Sequence, residues 1–171
     1  MRLVDLTHSI ARKEPGSEDV PVVVCAVRLI DSVPLDRLVT LATIVDLTQR
    51  ADPARIARSD VARLGLAGVG GCILRTDWCD QYLAGDRPET PYLDIEAAAY
   101  LLETGVRTVA SDFPITSGAA DMLLHNNCVL VHCVSGVAGL SRSIVRLIAL
   151  PLKLNDTYSA DARVIAVEEQ E

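Results

Sequence analysis

Short runs of β-branched and aliphatic residues, alternating in mid-chain with helical segments, constrain this sequence more than any other feature. Val20 to Arg28 contains Pro-Val-Val-Val-Cys-Ala-Val, a buried strand by its length and branching. Leu41 to Leu47 and Cys72 to Arg75 predict two more strands, with a helix over Ala54 to Leu64 between them. In that helix Ile56, Val61 and Leu64 form an apolar stripe, while Asp60 and Arg63 are polar. Pro34 to Leu38 reads as a short turn or helical start, and Gly65 to Gly71 as the break before the third strand. Asp94 to Glu103 is the clearest helix, with three consecutive alanines inside and Gly105 at a C-terminal cap position. Strands follow at Val106 to Ser111, Cys128 to Val134, Val145 to Leu154 and Arg163 to Val167, with about one helical turn at Ala119 to Leu124. Helices interrupt strands in the middle and strands dominate the end, which implies an α/β fold with a mixed sheet.

The 171 residues fit a single domain spanning 1–171, able to bury a core without disulfide staples. Half of the residues are hydrophobic, an excess that predicts burial between subunits. A formal charge of −7 argues against nucleic acid, and Arg12-Lys13 is the longest basic cluster. No apolar run is long enough to span a bilayer, because Pro21 and Arg28 break the best candidate, so no membrane partner is expected. Asp5 and His8 interrupt any signal-peptide layout, which makes the cytoplasm the expected location. Five irregularly spaced cysteines then read as reduced thiols.

Four segments carry a resemblance in their order. They are Val4-Asp5-Leu6-Thr7-His8, the run from Gly71 to Trp78 ending Arg-Thr-Asp-Trp, the stretch Ile95 to Val106, and Leu147-Ile148-Ala149-Leu150-Pro151-Leu152-Lys153-Leu154. Together they resemble the cyclase family, which includes bacterial kynurenine formamidase and isatin hydrolase. The resemblance implies a three-layer β/β/α fold of the swivelling-domain type, assembled as a homodimer or homotetramer, with metal-dependent hydrolysis as the family chemistry.

The ligands of that metal come mainly from an early block reading His-x-Gly-Thr-His-x-Asp-x-Pro-x-His, followed by a Pro-Leu-x-x-Leu-Val phrase. That phrase is Pro34-Leu35-Asp36-Arg37-Leu38-Val39 here, and the segment Val20 to Val33 before it contains no histidine. Later ligands are a His and, twelve residues on, a strand-ending Glu; aligned to the family, these positions are Ala120 and His132. Sliding His125 toward the first position would disrupt the match at Leu123-Leu124. The family's Thr-Gly-Trp is Thr76-Asp77-Trp78, and its Gly-x-Asp-Thr-x-Ser is Ala110-Ser111-Asp112-Phe113-Pro114-Ile115. With these ligands gone, no metal and no cofactor are expected, and the family's hydrolysis should be absent, since water needs a bound cation to become a good nucleophile near neutral pH.

The candidate residues follow from these departures. His132 in an apolar strand is either a proton-transfer group or a core histidine with one satisfied hydrogen bond. Asp77 is either a buried acid with a raised pKa or a turn residue, and Asp80 and Tyr82 share its loop. Asp112 ends a strand, where ligands gather in α/β sheets. His8 either anchors the first strand or meets substrate, and Arg142, between Ser141 and Ser143, could grip an anionic group or be a solvated surface residue. His125, Cys128, His132 and Cys133 match no standard zinc spacing, and strand alternation sets Cys133 on the other face from Cys128 and His132.

Two functions follow. The first is a metal-independent enzyme acting on a small, largely apolar carbonyl-bearing metabolite, as in secondary metabolism, by ring closure, isomerisation, elimination or dehydration. His132 with Asp77 or Asp112 would supply acid and base, and Trp78 a pocket wall. The second is a non-catalytic binding or partner subunit; a hydrolase with a rebuilt metal site is a third reading.

Overall fold

The strands pair into a sheet that closes on itself. A computed structural model describes residues 1–9, 22–63, 66 and 68–169. In chain order the strands are Arg2–Asp5 (β1), Val23–Cys25 (β2), Val39–Asp46 (β3), Arg55–Ile56 (β4), Gly71–Arg75 (β5), Tyr92–Leu93 (β6), Thr108–Ser111 (β7), Val129–His132 (β8), Ile144–Pro151 (β9) and Ser159–Glu168 (β10). The helices are Leu35–Leu38 (α1), Arg58–Ala62 (α2), Trp78–Leu83 (α3), Ile95–Glu103 (α4) and Ser117–His125 (α5). The main sheet runs β1-β10-β2-β8-β7-β5-β3-β9, and a further β10–β9 pairing joins its ends. Strands β3, β5, β7 and β8 are mutually parallel, whereas β2, β9 and β10 pair antiparallel with their neighbours.

Closure makes two apolar interiors, one on each face of the parallel strands. Alternation sends Ile73, Ala110, Val129 and Val131 inward, where they meet Val145, Leu147, Ala149, Val164 and Ala166 of β9 and β10. Alanine and valine dominate this layer because two backbones must approach closely across it. The opposite face presents Val45, Cys72, Leu74, Val109 and Leu130 to Ala97, Ala98, Leu101 and Leu123 of the helices. Helix α4 packs against α2 and α5, and α5 rests on β8. The order is therefore β/β/α in three layers, as the resemblance implies. Each fully buried Leu, Ile or Val in these interiors is worth roughly 1.5–3 kcal/mol of transfer free energy.

Local chemistry sets the helix ends. The Asp94 carboxylate accepts from the Glu96 N–H (3.2 Å) to start α4, and Gly105 adopts φ +87° just beyond its end. The predicted helix over Ala54 to Leu64 is instead a short strand followed by α2. Asp52 accepts from the N–H groups of Ala54 and Arg55 (2.9 and 3.2 Å), and Ile56 pairs with Leu93, so the chain stays extended until Ala57. The helix at Ala119 to Leu124 is longer, reaching from Ser117 to His125. The strand predicted to end at Leu154 stops at Pro151, and the one expected from Val20 is β2 alone. Val20, Pro21, Arg12, Lys13, Leu64, Gly65 and Ala67 lie outside the described residues. No helix among the described residues is long and apolar enough to cross a membrane.

Two positions hold the closed sheet to its present spacing. A Cβ on Gly71 would lie 2.9 Å from Thr40 Cγ2 and 3.2 Å from the Thr108 carbonyl oxygen. Gly71→Val is expected to destabilise the fold by about 1–3 kcal/mol, read as a lower denaturation midpoint. Glu168, at the end of β10, accepts from the N–H of Ser141 (2.5 Å) and of Arg142 (2.9 Å) and pairs with Arg2 (2.7 Å). The donors, Ser141 first, draw its pKa from 4.5 down to about 2. Its stabilising contribution is thus present above pH 4.5 and lost as pH falls toward 2. Glu168→Gln should flatten that acid limb of a stability-versus-pH curve while leaving the curve's shape above it unchanged.

Candidate functional site

A cleft of about 240 Å³ opens over the carboxyl ends of β3 and β5, framed by Thr48, Arg50, Thr76, Trp78, Gln81 and Glu89. This is the end of a parallel sheet where ligands gather in α/β folds. Its wall is Trp78, whose ring stacks on Tyr82 at 5.0 Å and 22°, with the Arg87 guanidinium 4.6 Å over the far Tyr82 ring. The Trp78 Nε1–H donates to the Pro88 carbonyl (3.3 Å), which fixes the indole plane.

Behind the cleft lies Asp112. One carboxylate oxygen accepts from the N–H groups of Thr76 (2.7 Å) and Asp77 (2.5 Å), and the other accepts from the Thr76 hydroxyl (2.7 Å). Burial outweighs these donors and raises the Asp112 pKa to about 6. Asp112 therefore titrates near neutrality while joined to a cleft-lining hydroxyl.

Arg50 supplies the positive charge. Its Nη1 donates to the Leu47 carbonyl (2.9 Å) and its Nη2 to that of Pro53, while its Nε is buried with no hydrogen-bond partner among the described residues. Burial pulls the Arg50 pKa down, and the charges of Asp112, Asp60 and Asp52 oppose that pull. A buried N–H without an acceptor costs free energy unless something fills the place.

The sequence-derived candidates divide between this cleft and other places. Asp77 starts α3 in the left-handed region (φ 63°), a conformation that glycine adopts at lower cost, which gives a physical reason for the glycine at that place in the family's Thr-Gly-Trp. Its carboxylate is engaged by Arg75 through both oxygens, at 2.7 and 3.1 Å, and Arg75 also reaches Asp46 at 3.1 Å. Asp80 and Tyr82 are helical, in α3, rather than in a loop; Asp80 accepts from the Gly136 N–H at 2.9 Å. His132 accepts at Nδ1 from the Ile115 N–H (3.1 Å), and burial lowers its pKa to about 4, so its imidazole is neutral at physiological pH. His8 is half-buried beyond Thr7, whose hydroxyl exchanges hydrogen bonds with Val164 of β10. Arg142 is exposed beside Ile144 and Glu169 on the outer sheet face, in a groove that shares no lining residue with the Trp78 cleft. Arg50, Thr76 and Gln81 are the residues that sequence reasoning missed. The available signal was the position of Arg50 and Thr76 just past two strands.

The family resemblance implies a divalent metal, and the residues present do not fit one. The two later ligand positions hold Ala120, packed among core side chains, and His132, already bonded through Nδ1. Among the described residues no three His, Cys, Asp or Glu side chains are grouped to hold a metal ion. The four-residue zinc candidate is dispersed: His125 is exposed and bonds the Asp121 carbonyl, and the Cys128 thiol donates to the Val106 carbonyl. Burial pushes the Cys133 thiol up to about 12, so it stays protonated.

Comparison with known proteins agrees with the architecture. A structure described as a potential metal-dependent hydrolase with cyclase activity superposes with a TM-score of 0.80 at 19% identity, covering 99% of each chain. Isatin hydrolase A from Ralstonia solanacearum gives 0.78 at 16% identity, over 98% of this chain and 92% of that one. An isatin hydrolase bound to the product analogue thioisatinate gives 0.75 at 19% identity, again over 98% and 92%. These likenesses establish the fold, and a search of curated proteins returns no match. The family described as "Putative cyclase" matches residues 18–117, more than half of the sequence, and the chain belongs to this cyclase family.

Proposed function

We propose that this protein is a metal-independent, cyclase-like enzyme acting on a small carbonyl-bearing metabolite in the Trp78 cleft. The observation that carries this reading is that one cleft is lined both by Arg50, whose buried Nε–H has no partner among the described residues, and by Thr76, whose hydroxyl bonds buried Asp112. The loss of the metal-ligand positions supports chemistry performed by side chains alone.

In this reading a proton beside the substrate carbonyl passes to Thr76 Oγ as the Thr76 hydroxyl proton passes to ionised Asp112. The electron pair left on carbon moves onto the carbonyl oxygen, held by the Arg50 Nε–H. The resulting enolate attacks within the same molecule to close a ring, or expels a leaving group. Asp112 returns the proton along the same path. Trp78 supplies an apolar wall that orients the substrate. His132 is then a positioning residue that fixes the Ile115 backbone, and Asp77 holds Arg75. The exposed apolar side chains Leu41, Ile144 and Leu150 on the outer sheet face support assembly as a homodimer or homotetramer.

A second reading, a non-catalytic binding subunit, draws on the three donors that Asp112 already accepts, which a purely structural carboxylate would also collect.

Turnover separates the two. Metal-stripped protein is incubated with a panel of small 1,3-dicarbonyl, 1,5-dicarbonyl and β-hydroxycarbonyl compounds, followed by mass spectrometry and NMR. The enzyme reading expects conversion that chelator leaves unchanged and that rises with pH through about 6, because Asp112 works ionised. Thr76→Val, checked for folding by circular dichroism, should lower kcat about 10²-fold or more. Activity that depends on added divalent metal, or full activity in Thr76→Val, would overturn it; no conversion by folded protein would favour the binding subunit. Arg50→Gln should lower kcat/KM about tenfold to a thousandfold, because it removes the donor to the developing oxyanion. Unchanged kcat/KM in that variant would remove Arg50 from the site.

A further inference from the structure

A second pocket lies at the opposite end of the parallel strands, where β8 begins and α1 leads into β3. It has a volume of about 50 Å³ and is lined by the apolar Ala26, Val33 and Val129 and by Arg28, Arg37 and Asn127. It shares no residue with the Trp78 cleft.

Its arginines are left without the carboxylate partners that many others have. The protein carries 23 acidic residues against 16 lysines and arginines. Arg2, Arg55, Arg58, Arg75, Arg146 and Arg163 each hold a carboxylate at hydrogen-bond range. Arg28 and Arg37 hold none among the described residues, although Asp31 and Asp36 lie close to them in sequence. Neither guanidinium donates a hydrogen bond within the described residues. Burial raises the pKa of the Cys128 thiol in this lining, and the charges of Arg107 and Arg37 oppose that rise.

The backbone beneath these groups is held in place. The Arg37 carbonyl accepts from the Thr108 hydroxyl (2.8 Å), and the Arg37 N–H donates to the Pro34 carbonyl (3.0 Å). Asn127 occupies the left-handed region (φ 58°) just past α5, and its N–H bonds the Leu124 carbonyl at 2.9 Å. Arg28, Arg37 and Asn127 therefore line one small space, two of them on backbone that is held in place. Guanidinium forks match the planar or tetrahedral oxygen geometry of carboxylate and phosphate. The volume suits an oxyanion head group, given that a single water needs only about 10–15 Å³ of such space.

We propose that this pocket binds a small oxyanion, or the oxyanion end of a larger metabolite, through Arg28 and Arg37 with Asn127 completing the contact. The site is independent of the Trp78 cleft, so its failure would leave the reading of that cleft untouched, and the reverse.

The test is titration of full-length protein with inorganic phosphate and, separately, with acetate at constant ionic strength, followed by the arginine Nε–Hε resonances and by calorimetry. Wild type, Arg28→Gln, Arg37→Gln and the exposed control Arg142→Gln are compared. The expected result is saturable binding of one equivalent, weakened about tenfold or more in each of the first two variants and unchanged in the control. Saturation by phosphate assigns a phosphate-bearing ligand, and saturation by acetate a carboxylate. Should Arg37→Gln fail to fold, Arg28→Gln decides alone, because Arg28 is exposed. No saturation of wild type by either probe, undiminished affinity in Arg28→Gln, or equal weakening in the control would overturn the proposal.

Discussion

The strand Ser159–Glu168 holds the architecture together because both of its edges are used. One edge pairs with β2 over its first residues and with β1 over its last, while the other pairs with β9. An eight-stranded sheet could otherwise end in exposed edges that invite association. Here the ends meet, and an interior forms between the antiparallel strands and β3, β5, β7 and β8. That interior tolerates only small or branched side chains, which accounts for the chain's wealth of alanine and valine. The larger groups, including the one phenylalanine, Phe113, are pushed into the layer shared with the helices.

The cleft depends on that frame through a single buried carboxylate. Asp112 stands at the end of β7 and reaches sideways to the turn that follows β5, collecting two N–H groups and a hydroxyl. Those bonds hold Thr76 and Asp77 where α3 must begin, and α3 in turn presents Trp78. The same burial that makes these bonds strong keeps Asp112 reluctant to ionise. Structural support and proton affinity are thus two results of one placement.

Much of this was readable from local pattern. The strands were legible because β-branching and period-two alternation are properties of neighbouring residues, as at Leu41 to Leu47 and Cys128 to Val134. Gly105 marked the end of α4 for the same reason. The Ala54 to Leu64 segment misled because its apolar spacing fits a helix, whereas Asp52 and the distant Leu93 hold its start extended. Around the cleft, Asp112 stood out by its place at a strand end and Trp78 by the family's Thr-Gly-Trp phrase. Arg50 was not, since a buried Nε–H without an acceptor arises from packing that no short stretch encodes. The pairing of Asp77 with Arg75 was equally hidden, because Asp77 itself takes up left-handed backbone.

Trp78 has one more consequence. It is the only tryptophan in the chain, and it stands in the wall of the cleft against Tyr82. All indole fluorescence of the protein therefore originates at that wall. Its wavelength and intensity report the polarity of the cleft directly, so the molecule carries its own optical probe of occupancy, with no label to attach.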